Sequence, residues 1–445
     1  MKKRKNPFQG LHTFLILWST QMLSALGSSM TSFALIIWSY QQQGSALTTS
    51  LLSVCSYAPY VILSIFAGAF SDRWNKKYIM LACDSFATLT TMITLFLLKS
   101  GALEIWHLYL LNALNGLMNT VQQPASEVAV SLLAPKEQYQ KVSGMRAFSN
   151  SLVTLLSPMF AAAVLSFAGL DAVIAVDLCT FVAAFIALAF FIHIPQMRCD
   201  DTAKKETVFR LVRSGLGFLR QNRGILNLIL FLAAINLIAS VYNAALPAMV
   251  LSKSGGGDRA LGLVTSCTGL ANLTGSLIAS CLRPPKSRVR VICGSLFFAM
   301  GTENLILALG KSTPVWCIGA VLGWIFIPLM NANMDVLFRT NIPLKLQGRV
   351  YAARNTLQFF TIPAGYLVGG VLVDQVFEPF MKAQPQGSIF SFLFGIGKGS
   401  GAAFLFGVLA VVGILVCLIF SKDKHIWALE EKTSGKDNID IDERK

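Results

Sequence analysis

The chain has 445 residues, 54% hydrophobic and only 13% charged, with 37 Lys and Arg against 22 Asp and Glu and a formal net charge of +15. Soluble domains run near 25% charged, so a water-soluble core is excluded. Apolar runs of about twenty residues recur along the whole length, each able to cross a bilayer as a helix. Transmembrane barrels would instead alternate apolar and polar residues in short segments.

In chain order the expected spans are 13–38, 47–70, 78–98, 103–124, 146–168, 172–194, 225–250, 260–282, 290–310, 314–335, 352–374 and 401–420. They define an all-α membrane protein of twelve helices in two six-helix bundles. The boundaries are 1–194 for the first bundle, 195–224 for a cytosolic linker, 225–421 for the second bundle and 422–445 for a polar cytosolic tail. The first run is too long for a cleaved signal. With both termini in the cytosol, 31 of the 37 Lys and Arg fall on the cytosolic side. Only Lys99, Lys253, Arg259, Lys311, Lys382 and Lys398 fall outside, a positive-inside pattern that implies a plasma membrane. The bases are dispersed through short loops, which argues against nucleic acid as a partner. The expected partners are the lipid bilayer and a small-molecule substrate, with the chain a monomer. Of nine cysteines only Cys199 lies in a loop, and none has zinc-site spacing, so no metal or cofactor is expected.

Between spans 2 and 3 stands "GAFSDRWNKK", Gly68 to Lys77. Gly68 and Asp72 share a helical face, and Asp72 is expected at a helix N-terminus, where the dipole favours an acid. The linker holds "TVFRLVRSGLGFLRQN", with Val208, Leu211, Val212, Leu216 and Leu219 on one face and Arg210, Arg213 and Arg220 flanking it, suited to an anionic leaflet surface. The two halves carry a trace of duplication: "PKEQYQKVSGMR" at 135–146, shifted by 208 residues, meets "PLKLQGRVYAAR" at 343–354. Parallel repeats of this kind are a transporter architecture. Near the end, "GIGKGSG" at 395–401 lacks the spacing of a phosphate-binding loop and reads as a turn into the last span.

The Gly-x-x-x-Asp-Arg-x-x-Lys-Lys pattern between spans 2 and 3 resembles the signature of the major facilitator superfamily, and the span count and 6+6 division extend the likeness along nearly the whole chain. The resemblance implies that Gly68, Asp72, Arg73, Lys76 and Lys77 are gate residues that latch the cytosolic side against the start of span 11. "QQPA" (122–125), "VDLCTF" (176–181) and "LQGRVYAARNT" (346–356) are similar to the macrolide-efflux and siderophore-exporter branch. Two departures stand out. "NALNG" puts Asn112 where drug/proton antiporters carry an arginine, and "VTLLSPMFAA" keeps only Pro158 of the span 5 antiporter motif.

Charges within spans are costly and default to function. Asp84, Arg146 and Arg354 are expected to form a cytosolic charge network that breaks and reforms during transport. Asp84, Asp177 and Glu303 are candidate proton carriers, the last two as buried acids without a partner. Glu127 and Asp335 lie near cytosolic helix ends. A substrate cavity is expected from Trp18, Gln21, Asn112, Asn115, Asn119, Asn236, Tyr242, Asn243, Trp324, Asn331 and Asn333, with Phe359 beside them. Such an amphipathic, uncharged lining suits bulky lipophilic molecules. The expected function is secondary active export of lipophilic or drug-like molecules by alternating access, coupled to protons. The alternative is uptake or exchange of a neutral metabolite. A polytopic membrane enzyme is the distant third, since the histidines (His12, His107, His193, His425) sit at span edges or in the tail and no hydrolase motif is present.

Overall fold

The structure, a computed structural model, describes residues 12–133, 139–194, 217–283 and 285–430, and omits the side chains of 64–73 and 344–349 among others. The described residues are mostly helical, and every expected span overlies helical residues. The chain divides into two compact units, Met1–Gln42 with Cys55–Lys204, and Gln43–Val54 with Lys205–Lys445. The first turns of the second helix are therefore counted with the second unit.

The helices before the linker are α1 (His12–Gln43), α2 (Ala46–Arg73), α3 (Lys76–Lys99), α4 (Ile105–Leu133) and α5 (Tyr139–Ile186), the last followed by a π-turn over Ala187–Phe191. Expected spans 5 and 6 run into one another as α5, which breaks at Gly169 (φ 79°, ψ 179°), a backbone only glycine adopts without strain. Among the described residues ten helices are long and apolar enough to cross a membrane, with 144–191 counted as one. α4 is not among them, because Asn112, Asn115, Asn119, Gln122 and Gln123 dilute its hydropathy. The core of this unit joins α1, α3, α4 and the end of α5 through Leu17, Met80, Cys83, Ala125, Ala129 and Leu188. Glycines set the closest approaches: a Cβ on Gly27 would strike the Thr180 hydroxyl and Asp177, and one on Gly116 the Ser56 carbonyl. Phe96, Phe167, Phe190 and Ile62 stay exposed, as a lipid-facing surface requires.

The second unit contains α6 (Arg223–Ser252), α7 (Asp258–Cys281), α8 (Arg288–Phe298), a π-turn over Ala299–Glu303, α9 (Asn304–Leu309), α10 (Thr313–Trp324), α11 (Ile327–Asn341), α12 (Leu344–Phe359) and α13 (Thr361–Val371). A π-turn over Leu372–Phe377, then α14 (Glu378–Lys382), α15 (Ile389–Phe394) and α16 (Ser400–Ser421), complete it. α6 is its central post, with Phe231, Ala245, Met249 and Val250 fully buried. Gly365 and Gly369 of α13, four apart, lie on Leu237, Ser240, Val241 and Ala244 of α6, so that backbones meet where a side chain would separate them. The expected turn at 395–401 is present, with Gly395, Gly397 and Gly399 all at φ near 90°.

Two acids one helical turn apart cap two other helices. Asp374 accepts hydrogen bonds from the Ser45 hydroxyl (2.6 Å) and the backbone N–H groups of Ala46 (3.0 Å) and Leu47 (2.8 Å) at the start of α2. Glu378 accepts from the N–H groups of Gly399 (2.9 Å) and Ala402 (3.3 Å) at the start of α16. These orphan donors have no intrahelical partner, and the helix dipole favours a negative charge beside them.

Three expectations change. Of the amphipathic segment, only 217–222 is described, helical over 217–221 with Leu219 buried, and the rest lies outside the described residues, as does Cys199. The expected polar tail starts as structure: residues 424–430 are helical, Ile426 and Leu429 are buried, and Glu430 accepts from Ser287 Oγ (3.0 Å) and the Arg288 N–H (2.6 Å) at the start of α8. Asp72 does not open a helix. It lies in the last turn of α2, and Asn75 caps α3 by accepting from the Lys77 N–H.

Asp374→Ala strands two partly buried helix-start N–H groups and is expected to cost about 1 kcal/mol, read as a lower thermal midpoint of the purified protein in detergent. Lys253, just past α6, donates to the Gly310 carbonyl (3.4 Å). Burial first, then Lys311, pushes its ammonium down to about 8 against the pull of Glu378. The unfolded chain then holds one more proton than the fold between about pH 8 and 10.5, so stability rises with pH across that window. Lys253→Met is expected to flatten that rise and to raise the midpoint at pH 7, where the wild-type ammonium is held charged at a cost.

Candidate functional site

Among the described residues a cavity opens in each unit. In the first, Phe14, Trp18, Gln21 and Met22 of α1 face Ser126 and Val130 of α4 and Arg146, Ser149 and Asn150 of α5, around about 210 Å³. Trp18 Nε1 is already spent on the Met145 carbonyl (3.0 Å) and Ser149 Oγ (3.2 Å). Arg146 makes a bidentate pair with Glu127, 2.6 Å at each oxygen, on a half-exposed rim.

In the second unit α6 contributes Leu232, Ile235, Asn236, Ala239 and Tyr242, the segment from α8 to α9 contributes Met300, Glu303 and Asn304, α10 ends in Trp324, and α11 adds Met330, Asn331 and Met334. Gln358 of α12 completes the wall around about 190 Å³. Among the described residues, no Lys, Arg or His lines this cavity. Glu303 closes a π-turn, a device frequent at functional sites. Its carboxylate, 5% exposed, accepts from Trp324 Nε1 at 2.9 Å. The preceding Gly323 makes the room, since a Cβ there would fall on the carboxylate. The Tyr242 hydroxyl lies beside the Glu303 carboxyl, and Asn304 Oδ1 is buried with no hydrogen-bond partner among the described residues.

The expected cavity residues therefore divide. Trp18 and Gln21 line the first cavity, and Asn236, Tyr242, Trp324 and Asn331 line the second. Asn112 donates to the Leu108 carbonyl, and Asn115 accepts from Thr90 Oγ1 (2.9 Å). Asn119 and Asn243 are exposed. Asn333 is buried and accepts from Arg288 (3.3 Å). Reading the sequence alone missed Asn304 and Gln358. The residue after a suspected buried acid, one helical step away, was the available signal for Asn304.

The expected charge network has a different form. Asp84 accepts from the amides of Gln122 and Gln21, not from a cation, while Arg146 is taken by Glu127. Arg354 lies over the rings of Phe338 (5.2 Å) and Tyr351 (5.1 Å) and donates to Asn355. Asp177 and Glu303 are not partnerless, since Asp177 accepts from Ser28 Oγ at 2.9 Å. Each acid at depth has found a neutral donor, because an amide, hydroxyl or indole satisfies a carboxylate without a second desolvated charge. In the motif, Lys77 donates to the carbonyls of Ala189 and Ile192 (both 2.8 Å) at the end of α5, and Lys76 to Trp74. The side chains of Gly68, Asp72 and Arg73 lie outside the description.

Comparison identifies the class of this helical, two-unit chain. The profile of the Major Facilitator Superfamily matches residues 17–365, and the chain belongs to that superfamily. Macrolide efflux protein A of Streptococcus pyogenes is 23% identical over 366 residues, 82% of this chain and 90% of that protein. Macrolide efflux protein A of Enterococcus faecalis is 23% identical over 72% of this chain and 99% of its own length. Among solved structures, the nucleoside transporter NupG aligns with a TM-score of 0.72 at 12% identity, covering 92% of this chain and all of that one, which establishes the shared fold. The protein is a multi-pass membrane transporter, not an enzyme.

Asp84→Ala would leave the amides of Gln21 and Gln122 without their shared acceptor and is expected to cost about 1–3 kcal/mol. Asp84→Asn, which keeps an acceptor oxygen, is expected to lose less than half of that. Thermal unfolding of the two variants side by side decides it.

Proposed function

We propose that the protein exports lipophilic or amphipathic small molecules across a bacterial plasma membrane by alternating access, with both termini in the cytosol and the proton gradient as the drive. The observation that carries this reading is the second-unit cavity, walled by Leu232, Ile235, Met300, Met330, Met334 and Trp324, with Glu303 and, among the described residues, no cationic side chain in its lining. Methionines give an adaptable apolar wall, which suits bulky, chemically varied ligands and disfavours anions. The likeness to two macrolide efflux proteins supports export and a macrolide-like substrate. Asp84, Asp177 and Glu303 are the acids placed to carry protons, because each is held by neutral donors and can lose or gain a charge without breaking an ion pair. The amides Asn236, Asn331 and Gln358 also favour a second reading, a carrier for a neutral hydrogen-bonding metabolite.

Inside-out vesicles with an imposed pH gradient separate the readings. Macrolides, dyes and lipophilic cations are expected to accumulate with proton release. Replacing the coupling acid among Asp84, Asp177 and Glu303 by its amide is expected to cut both signals at least tenfold. Silence across that panel with accumulation of nucleosides or sugars would overturn export of lipophilic compounds in favour of the metabolite carrier.

A further inference from the structure

Two thiols meet inside the second unit. Cys267 of α7 and Cys317 of α10 share a side-chain hydrogen bond, and both are free thiols, partly exposed. The backbone makes this meeting a matter of register. Thr313 Oγ1, on the first residue of α10, donates to the Gly255 carbonyl (2.8 Å) just before α7, so the two helices start side by side. Eight residues beyond Cys267 stands Gly275, and eight beyond Cys317 stands Ile325. A Cβ on Gly275 would fall on the Ile325 carbonyl. Equal steps from the first contact to the second, about 12 Å of helix rise, mean that α7 and α10 run the same way in register. Cys267, Ala271 and Gly275, four apart, put small side chains on one face of α7, and Ala271 is fully buried there. A disulfide needs Cα atoms about 4.4–6.8 Å apart, a spacing that two helices reach only where small residues let their backbones close.

We infer that Cys267 and Cys317 form an oxidation site, a dithiol that a peroxide converts to a disulfide stapling α7 to α10. Peroxide first gives an oxygen to one sulfur: the O–O bond breaks, the sulfur becomes a sulfenic acid and water leaves. The second sulfur then attacks the first. An S–S bond forms, the S–O bond breaks, and the thiol proton departs with the hydroxyl as a second water. Each sulfur is oxidised by one electron and the peroxide is reduced by two. The hydrogen bond holds the second thiol within reach, so joining outruns further oxidation of the first. Cys293 and Cys417 are different: both are sealed in the core, where a thiol is inert. In the orientation proposed above, the shared start of α7 and α10 faces outside, the side on which disulfides persist. The staple would fix α10, whose Trp324 holds Glu303, against α7. The site depends on no choice of substrate.

Mass spectrometry of the purified full chain in detergent tests it. The chain is treated with hydrogen peroxide, alkylated with N-ethylmaleimide and digested. The dominant joined product is expected to be the Cys267 peptide linked to the Cys317 peptide. It should be lighter by two hydrogens than the two free peptides and come apart with dithiothreitol, while Cys293 and Cys417 carry the alkyl group. The oxidised chain is expected to show a higher thermal midpoint than the reduced one, since the staple restricts the unfolded chain. Cys267→Ser keeps the size and a hydrogen-bonding group. In that variant the joined peptide is expected to vanish, Cys317 to be alkylated, and the difference in midpoint to close. Any one of three results would overturn the site: both peptides alkylated after peroxide, both oxidised to sulfinic acids without joining, or either joined mainly to another cysteine.

Discussion

A carboxylate at bilayer depth must be given hydrogen-bond donors, and the rest of this structure is arranged around how that is done. Charged partners would add a second desolvation penalty. The chain uses neutral donors instead: glutamine amides at Asp84, a serine hydroxyl at Asp177, an indole at Glu303, and the open N–H groups of helix starts at Asp374 and Glu378. At a helix end, half exposed, Glu127 and Arg146 form a full ion pair. There water already lowers the cost of both charges, and the pair stabilises correspondingly little.

That choice dictates the packing. A neutral donor must come within hydrogen-bond distance, so the backbones must come closer than branched side chains allow. Gly27 brings α1 onto the turn of α5 that carries Asp177, next to the Ser28 that donates to it. Gly323 opens the end of α10 for the Glu303 carboxylate, and Trp324, the next residue, supplies the indole. In both places one glycine and its neighbour in sequence form a unit: the first makes the space and the second fills it with a donor. The α13 glycines repeat the logic without an acid, and there the gain is close van der Waals contact with α6.

The helices and the superfamily were legible in the sequence because they rest on one-dimensional signals, runs of apolar residues and a loop motif. The break at Gly169 was not, since two spans joined without a polar turn differ from one long span only in a single positive φ. Side-chain roles were legible where they depend on the residue alone and illegible where they depend on a distant partner. Glu303 and Asp177 stood out as acids in apolar runs, but Ser28 lies 149 residues from Asp177, and nothing local marks it as the donor. The expected Asp84–Arg146–Arg354 network failed for the same reason. Opposite charges at span ends suggest pairing, but Gln21 and Gln122 were nearer to Asp84, and Glu127 was nearer to Arg146. Asp72 was misplaced by a boundary of three residues, and Asn75, a better N-cap by its own chemistry, took the position.

The two cavities differ in what their charges can still do. In the first, Arg146 and Glu127 neutralise each other and Trp18 has both its acceptors, so its polar groups are largely spent on holding α1, α4 and α5 together. In the second, the Glu303 carboxylate is held by the Trp324 indole, and among the described residues no cation lines the wall, so a change of charge there breaks no ion pair.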